Sequence, residues 1–221
     1  MFDVMPDGDW GGAAWRLLDP RPLKAEAPYT YFIPSTAELA RLEPGDVVML
    51  EFVAPNPDDY AGQRLPVQVD TQTDDHWFGI LMSAPHNLAG LEAGSLVEFR
   101  PWHIVAVPET RADANAHEEE ARFLACALVD GRILSGAASV GALERRQPSP
   151  ETGQTSPYAR IYGETGWVFY PAGLPRMADQ AMDYVPIGLV LNIDDTMLPL
   201  LRKPTGTRII RWREGWRTLP S

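Results

Sequence analysis

Leu42-Glu43-Pro44-Gly45-Asp46-Val47-Val48-Met49-Leu50-Glu51-Phe52 is a turn that feeds a strand. Glycine opens the backbone to positive φ, and the residues after it run apolar with β-branched and aromatic members. The same pattern returns at Leu91-Glu92-Ala93-Gly94-Ser95-Leu96-Val97-Glu98-Phe99. This echo points to one structural device used twice rather than to a duplicated site. Between the two, Leu65 to Thr71 alternates through Pro66-Val67-Gln68-Val69-Asp70, and His76 to Met82 reads as another strand after a Thr73-Asp74-Asp75 turn. Short strands joined by turns predict a small, strongly bent sheet or partial barrel.

Composition agrees with that reading. With 221 residues the chain has room for one or two domains and a substantial core. Its 21 prolines and 18 glycines favour short elements and many turns over long helices. The fold class expected is α+β and β-rich: two small domains of short, strongly bent, mainly antiparallel sheets with few short helices. A single cysteine allows no intrachain disulfide, and no stretch is long and apolar enough for a signal or a membrane span. The expected location is the cytoplasm, away from any membrane.

A boundary is expected where Pro108-Glu109-Thr110-Arg111-Ala112-Asp113 is polar and turn-forming and Ala114 to Arg122 carries a run of glutamates able to make one or two helical turns. This gives an N-terminal β-rich domain over 1–110, a linker over 111–120 and a second α+β domain over 121–221. In the second domain Phe123 to Val129 is apolar, Asp130-Gly131 has the chemistry of a hairpin turn, and Arg132-Ile133-Leu134-Ser135 resumes the apolar pattern. Gln147 to Pro157 is a surface loop by its prolines and small polar residues. Thr207 to Trp212 is a strand that Arg213-Glu214-Gly215 turns back through Trp216 to Leu219, with arginines guarding the edge.

The densest pattern lies from Pro157 to Arg208. It holds Gly166-Trp167-Val168-Phe169, Ile187-Gly188-Leu189, Asn192-Ile193-Asp194-Asp195, Leu198-Pro199-Leu200-Leu201 and Pro204-Thr205-Gly206-Thr207. In order and spacing this resembles the immunity-protein family of bacterial polymorphic-toxin loci, over about the last hundred residues. The resemblance implies a protein that binds a toxin and performs no chemistry. The first half resembles a second group of small bacterial domains, in which a Pro-Gly-Asp turn, a strand pair and a terminal His-Ile follow in this order; here His103-Ile104 takes the last place.

Charge suits a binding role. The net charge is -11, yet residues 201–221 hold six arginines and lysines against Glu214 alone, a net of +5, so the first 200 residues carry -16. An acidic body repels nucleic-acid phosphates and steers basic partners, so a basic toxin domain is the expected partner. Asp58, Asp59, Asp74 and Asp75, two acidic doublets in turns, are the candidate partner surface. Solvated turns are the ordinary role of such doublets.

No residue announces catalysis. Cys126 sits inside Leu124-Ala125-Cys126-Ala127-Leu128 and is expected to be a small buried hydrophobe. His76, His86, His103 and His117 show no ligand spacing, so neither a metal nor a cofactor is expected; His103 reads as a packed histidine. Asp194-Asp195 reads as a helix N-cap or a loop, and Trp167 as core. The Gly-x-Ser-x-Gly, Gly-x-Gly-x-x-Gly and phosphate-loop patterns are absent from the sequence. The main alternatives to a protein-binding module are an enzyme with a site assembled between domains and a ligand-binding module.

Overall fold

The structure is a computed structural model that describes residues 14–54, 62–74, 76–86, 88–148, 156–174, 182–213 and 215–220. It is β-rich α+β, with two sheets that are mainly antiparallel and a few short helices. The chain divides into two compact units: one takes the residues up to Lys24 and Ile33–Asp113, the other Ala25–Phe32 and Ala114–Ser221.

The first unit is a sheet bent until it nearly closes. Its strands are β1 (Arg16–Leu17), β2 (Val47–Val53), β3 (Gln63–Gln72), β4 (Trp77–Leu81), β5 (Leu96–Phe99) and β6 (Ile104–Ala106). Neighbours β2 to β5 pair antiparallel in chain order. A 3-10 turn, Pro101–His103, then reverses the chain, and β6 pairs with the other edge of β2 through Leu50 and Ile104. β1 takes the rest of that edge, with Leu17 opposite Phe52. Closure leaves one interior, filled by alternate residues such as Val48, Leu50 and Phe52 on β2 and Leu65, Val67 and Val69 on β3. Trp77 and Phe99 meet edge to face, 6.0 Å between ring centroids.

The two echoing turns are the same object. The Asp46 N–H donates to the Glu43 carbonyl and the Ser95 N–H to the Glu92 carbonyl, with Gly45 and Gly94 between at φ +98 and +91. This is the form that Pro-Gly and Ala-Gly at the two central positions favour, since the second centre needs positive φ. In each turn the side chain at the fourth position accepts the first residue's N–H: Asp46 from Glu43 at 2.8 Å, Ser95 from Glu92 at 3.0 Å. Each glycine N–H crosses to a neighbouring strand, at the Val69 and Leu81 carbonyls.

The second unit is a mixed sheet. Its strands are β7 (Cys126–Asp130), β8 (Val140–Arg145), β9 (Glu164–Pro171), β10 (Met182–Pro186), β11 (Arg208–Trp212) and β12 (Gly215–Thr218), ordered β10-β7-β9-β8-β11-β12. Only β7 and β9 run parallel. The unit's helices are α3 (Ala114–Leu124), α4 (Gly131–Leu134), α5 (Pro157–Tyr162) and α6 (Ile187–Ile193), with a 3-10 segment Asp195–Leu200; two shorter helices, α1 (Arg21–Glu26) and α2 (Thr36–Leu39), precede them in the chain. The core joins Val129, Leu143, Trp167, Phe169 and Ile209 of the sheet to Ile133 of α4, Ile187 and Val190 of α6, and Met197. On β9 Val168 and Tyr170 are also buried, in a second cluster with Met182, so the strand reads as a continuous apolar run.

One expectation is corrected here. Asp130-Gly131 makes no hairpin: the Asp130 carboxylate accepts the Arg132 N–H at 3.0 Å and caps α4, whose Ile133 is buried. The reason lies in the sheet, because β7 has β9 on one edge and β10 on the other, and a parallel neighbour cannot be joined by a two-residue turn. Residues 111–120 divide between the two units. Arg111 donates to Glu43 at 2.7 Å and Asp46 at 2.8 Å, and the Asp113 N–H donates to buried Glu38 at 2.8 Å, so this stretch is tied into the first unit up to Asp113. From Ala114 it is helix α3 of the second. The division after Asp113 falls within the expected 111–120 stretch between 1–110 and 121–221, and Ala25–Phe32 belongs to the second unit.

Candidate functional site

The family-like pattern of the second half resolves first into architecture. Segment Ala25–Phe32 lies against α6 as a strap. The Tyr29 N–H donates to Asn192 Oδ1 at 2.9 Å, and Asn192 Nδ2 donates to Thr30 Oγ1 at 2.7 Å. Gly188 permits the approach, since a Cβ there would stand 2.2 Å from the Tyr29 carbonyl oxygen. The Tyr29 ring meets Phe123 of α3 edge to face at 5.1 Å, and its hydroxyl donates to Asp195 at 3.2 Å. Burial holds that hydroxyl's proton more tightly than usual, with the Asp195 carboxylate adding to the effect.

Asp194 ties the 3-10 segment to the last hairpin. Its carboxylate accepts the Thr196 N–H at 3.1 Å and the Thr196 hydroxyl at 2.5 Å, and it pairs with Arg211. Arg211 also donates to the Val140 carbonyl and lies over the Trp216 ring, 4.3 Å from its centroid, while the Trp216 indole donates to Thr196 Oγ1 at 2.9 Å. The expected N-cap at Asp194 is thus observed, inside a closed ring of polar contacts that the sequence does not announce.

Trp167 is core, as expected, but its edge is polar. The indole N–H donates to the Leu201 carbonyl at 3.3 Å, and Arg145 at the end of β8 donates from Nη1 to that same carbonyl at 3.2 Å and to the Lys203 carbonyl. The Arg145 guanidinium lies 5.6 Å from the Trp167 ring centroid. The Leu-Pro-Leu-Leu motif is therefore held at its last carbonyl, that of Leu201, by two side chains of the sheet.

Above this junction opens a groove of about 490 Å³ in the second unit. Its apolar lining is Trp167, Ile187, Leu198 and Leu201; Trp167 and Ile187 are buried, and Leu198 is exposed. One rim is α3, with Glu118, Glu119 and Arg122; Glu118 and Arg122 pair at 3.6 Å across one helical turn. Arg145, Arg202 and Tyr162 of α5 line it as well. Beyond Tyr162, α5 displays Tyr158 and Ile161 to solvent, the latter 73% exposed, and the two tyrosine rings stack at 6.3 Å.

Of the acidic doublets, Asp74 is exposed between β3 and β4. Asp58, Asp59 and Asp75 lie outside the described residues. Asp74 does not line the groove. Cys126 is fully buried on β7, 3.6 Å from the Ser156 hydroxyl, and burial pushes its thiol pKa up, away from thiolate chemistry. His103 accepts the Arg100 N–H through Nδ1 at 3.1 Å, and burial pulls its pKa down against the opposing pull of Asp19. Beside it Trp102 lies between the Arg21 and Arg100 guanidiniums, 4.7 and 5.4 Å from its ring centroid. Among the described residues no group of three or more His, Cys, Asp or Glu is placed to hold a metal, and no helix is long and apolar enough to cross a membrane.

Sequence reasoning missed the groove because its walls come from α3, β8, α5 and the segment after α6, which no local pattern joins. A visible signal was Pro157-Tyr158-Ala159-Arg160-Ile161-Tyr162, an aromatic-rich stretch followed by glycine. No protein-family model, curated protein or solved structure matches the chain, and the groove is interpreted from its own geometry.

Proposed function

We infer that the chain is a non-enzymatic protein-binding module whose second unit carries the partner surface, and that it acts as an immunity protein neutralising a bacterial toxin. The observation that carries the binding reading is the exposed row Tyr158, Ile161 and Tyr162 on α5 beside an apolar groove rimmed by arginines. Tyrosine, tryptophan and arginine dominate the residues on which protein interfaces depend, and an exposed apolar row next to a concave floor is where such anchors seat. The toxin reading rests on the resemblance of the Pro157 to Arg208 pattern. The net charge of -11 agrees with a basic toxin domain, and the acidic turns would then act on the rate of encounter rather than on the seat itself.

The test reads the neighbouring frame for a secreted protein with a toxic C-terminal domain, whose absence would count against the toxin reading, and measures binding to that domain. Ile161→Asp should raise Kd by about 30-fold or more, the scale of an interface anchor, with unchanged circular dichroism. Replacing Asp58, Asp59, Asp74 and Asp75 by Asn should instead slow association at low salt and leave dissociation unchanged. If Ile161→Asp binds as the wild type does, α5 is not the partner surface.

A further inference from the structure

Arg145 is held in place but not used up. Its Nη1 is engaged with the Leu201 and Lys203 carbonyls, and its plane lies by the Trp167 ring. Among the described residues Nε and Nη2 have no acceptor, and no carboxylate pairs with the guanidinium. Nε and Nη2 form the side-on edge of the guanidinium, the edge whose two parallel N–H groups match both oxygens of a carboxylate. Arg202 adds a second positive charge to the lining of the groove. The acids of the groove, Glu118 and Glu119, stand on α3, where Glu118 is already paired with Arg122. An apolar floor next to an arginine fixed by its own backbone contacts is preorganised, because little side-chain freedom remains to be lost on binding.

Resting on the binding reading above, we propose that this groove takes a segment of the partner protein that lays an apolar side chain on Leu198 and Leu201 and a carboxylate on Arg145. A wholly apolar segment would cover the Nε and Nη2 donors without giving them an acceptor, which costs free energy. A basic one would face Arg145 and Arg202. The surface extends past the groove along α5, since Tyr162 belongs to both, and this favours a chain segment over a compact metabolite. The cognate toxin domain, basic overall, would then present a local acidic and apolar segment to this seat.

The test titrates the full-length protein with an N-acetylated, amidated Leu-Phe-Glu-Leu peptide and with its Gln and Lys counterparts. The Glu peptide should shift the indole N–H resonance of Trp167 and the Nε–H resonance of Arg145 saturably, and the Gln peptide should bind about tenfold more weakly for loss of a charged hydrogen-bond acceptor. Arg145→Gln retains an N–H donor for the Leu201 and Lys203 carbonyls and removes both the charge and the fork, so it should abolish the preference for Glu over Gln. Should that variant fail to fold, Arg202→Gln on the exposed rim should weaken the Glu peptide by about twofold and leave the Gln peptide unchanged. Equal affinity for all three peptides, tighter binding of the Lys peptide, or no shift of either resonance up to about 10 mM, a binding free energy of only a few kcal/mol, would overturn the proposal. The titration contains no toxin, so its failure leaves the α5 surface standing, and failure of Ile161→Asp to affect toxin binding leaves the carboxylate seat standing.

Discussion

Gly188 shows how much one hydrogen atom can decide. Alanine there would place a methyl 2.2 Å from the Tyr29 carbonyl oxygen and 3.0 Å from that of Phe123, so the strap or α6 must move. Gly188→Ala should therefore destabilise the second unit by about 1–3 kcal/mol in urea unfolding, the usual range for forced overpacking. An unchanged midpoint would mean that the strap gives way at no cost. His103 supplies a pH dependence of known sign. Burial lowers its folded pKa below the ordinary 6.5, with Arg21 and Arg100 acting in the same direction and Asp19 against them. The unfolded chain then binds more protons than the folded one below that value, so this contribution is complete above about pH 6.5 and is lost as pH falls through it. His103→Gln should flatten the stability profile just below about pH 6.5, and a profile of the same slope as wild type would show that the group responsible is elsewhere.

At the scale of elements, the strap and the stretch around residue 113 make the strongest predictions. Helix α3 covers residues 114–124, and Arg111 and Asp113 are bound to Glu43, Asp46 and Glu38, so limited proteolysis should spare 111–120. Cleavage there before any other site would mark the stretch as a linker. The strap bears on autonomy. A fragment starting at Ala114 lacks Tyr29 and Thr30, leaving Asn192 without two partners and Phe123 without its ring contact. It should melt below the full chain, and a synthetic peptide of residues 25–32 should stabilise it in proportion to saturation, by about 2.7 kcal/mol at a hundred times Kd. A fragment as stable as the full chain and indifferent to the peptide would show that the strap contributes nothing. Helix α4 teaches a related lesson: Asp-Gly has one chemistry for a hairpin and nearly the same for an N-cap, and the edges already occupied on β7 select between them.

At the scale of the whole chain, the first 200 residues are acidic and the last 21 basic, and only part of that charge lies near the groove. Association with a toxin should slow as salt rises, because screening acts on exposed charge over about 8 Å at physiological ionic strength, whereas the dissociation rate should respond to α5 and Arg145. Salt-independent association would remove the acidic body from the account of encounter. Much of the architecture was determined by the sequence itself. Alternation through Val48, Leu50 and Phe52 sets which residues face inward, and glycine at the third place of both echoing turns sets where strands begin, because period-two burial and positive φ are local properties. The burial of Cys126, the capping role of Asp194 and the β-rich class follow from equally local chemistry. Only the tertiary structure decided that β7 pairs in parallel with β9, that residues 25–32 cross into the second unit, and that Arg145 meets Leu201 beside Trp167. Each of these joins residues dozens of positions apart or more, and the free energy of such a contact depends on where every intervening element packs, which no window of neighbouring residues encodes.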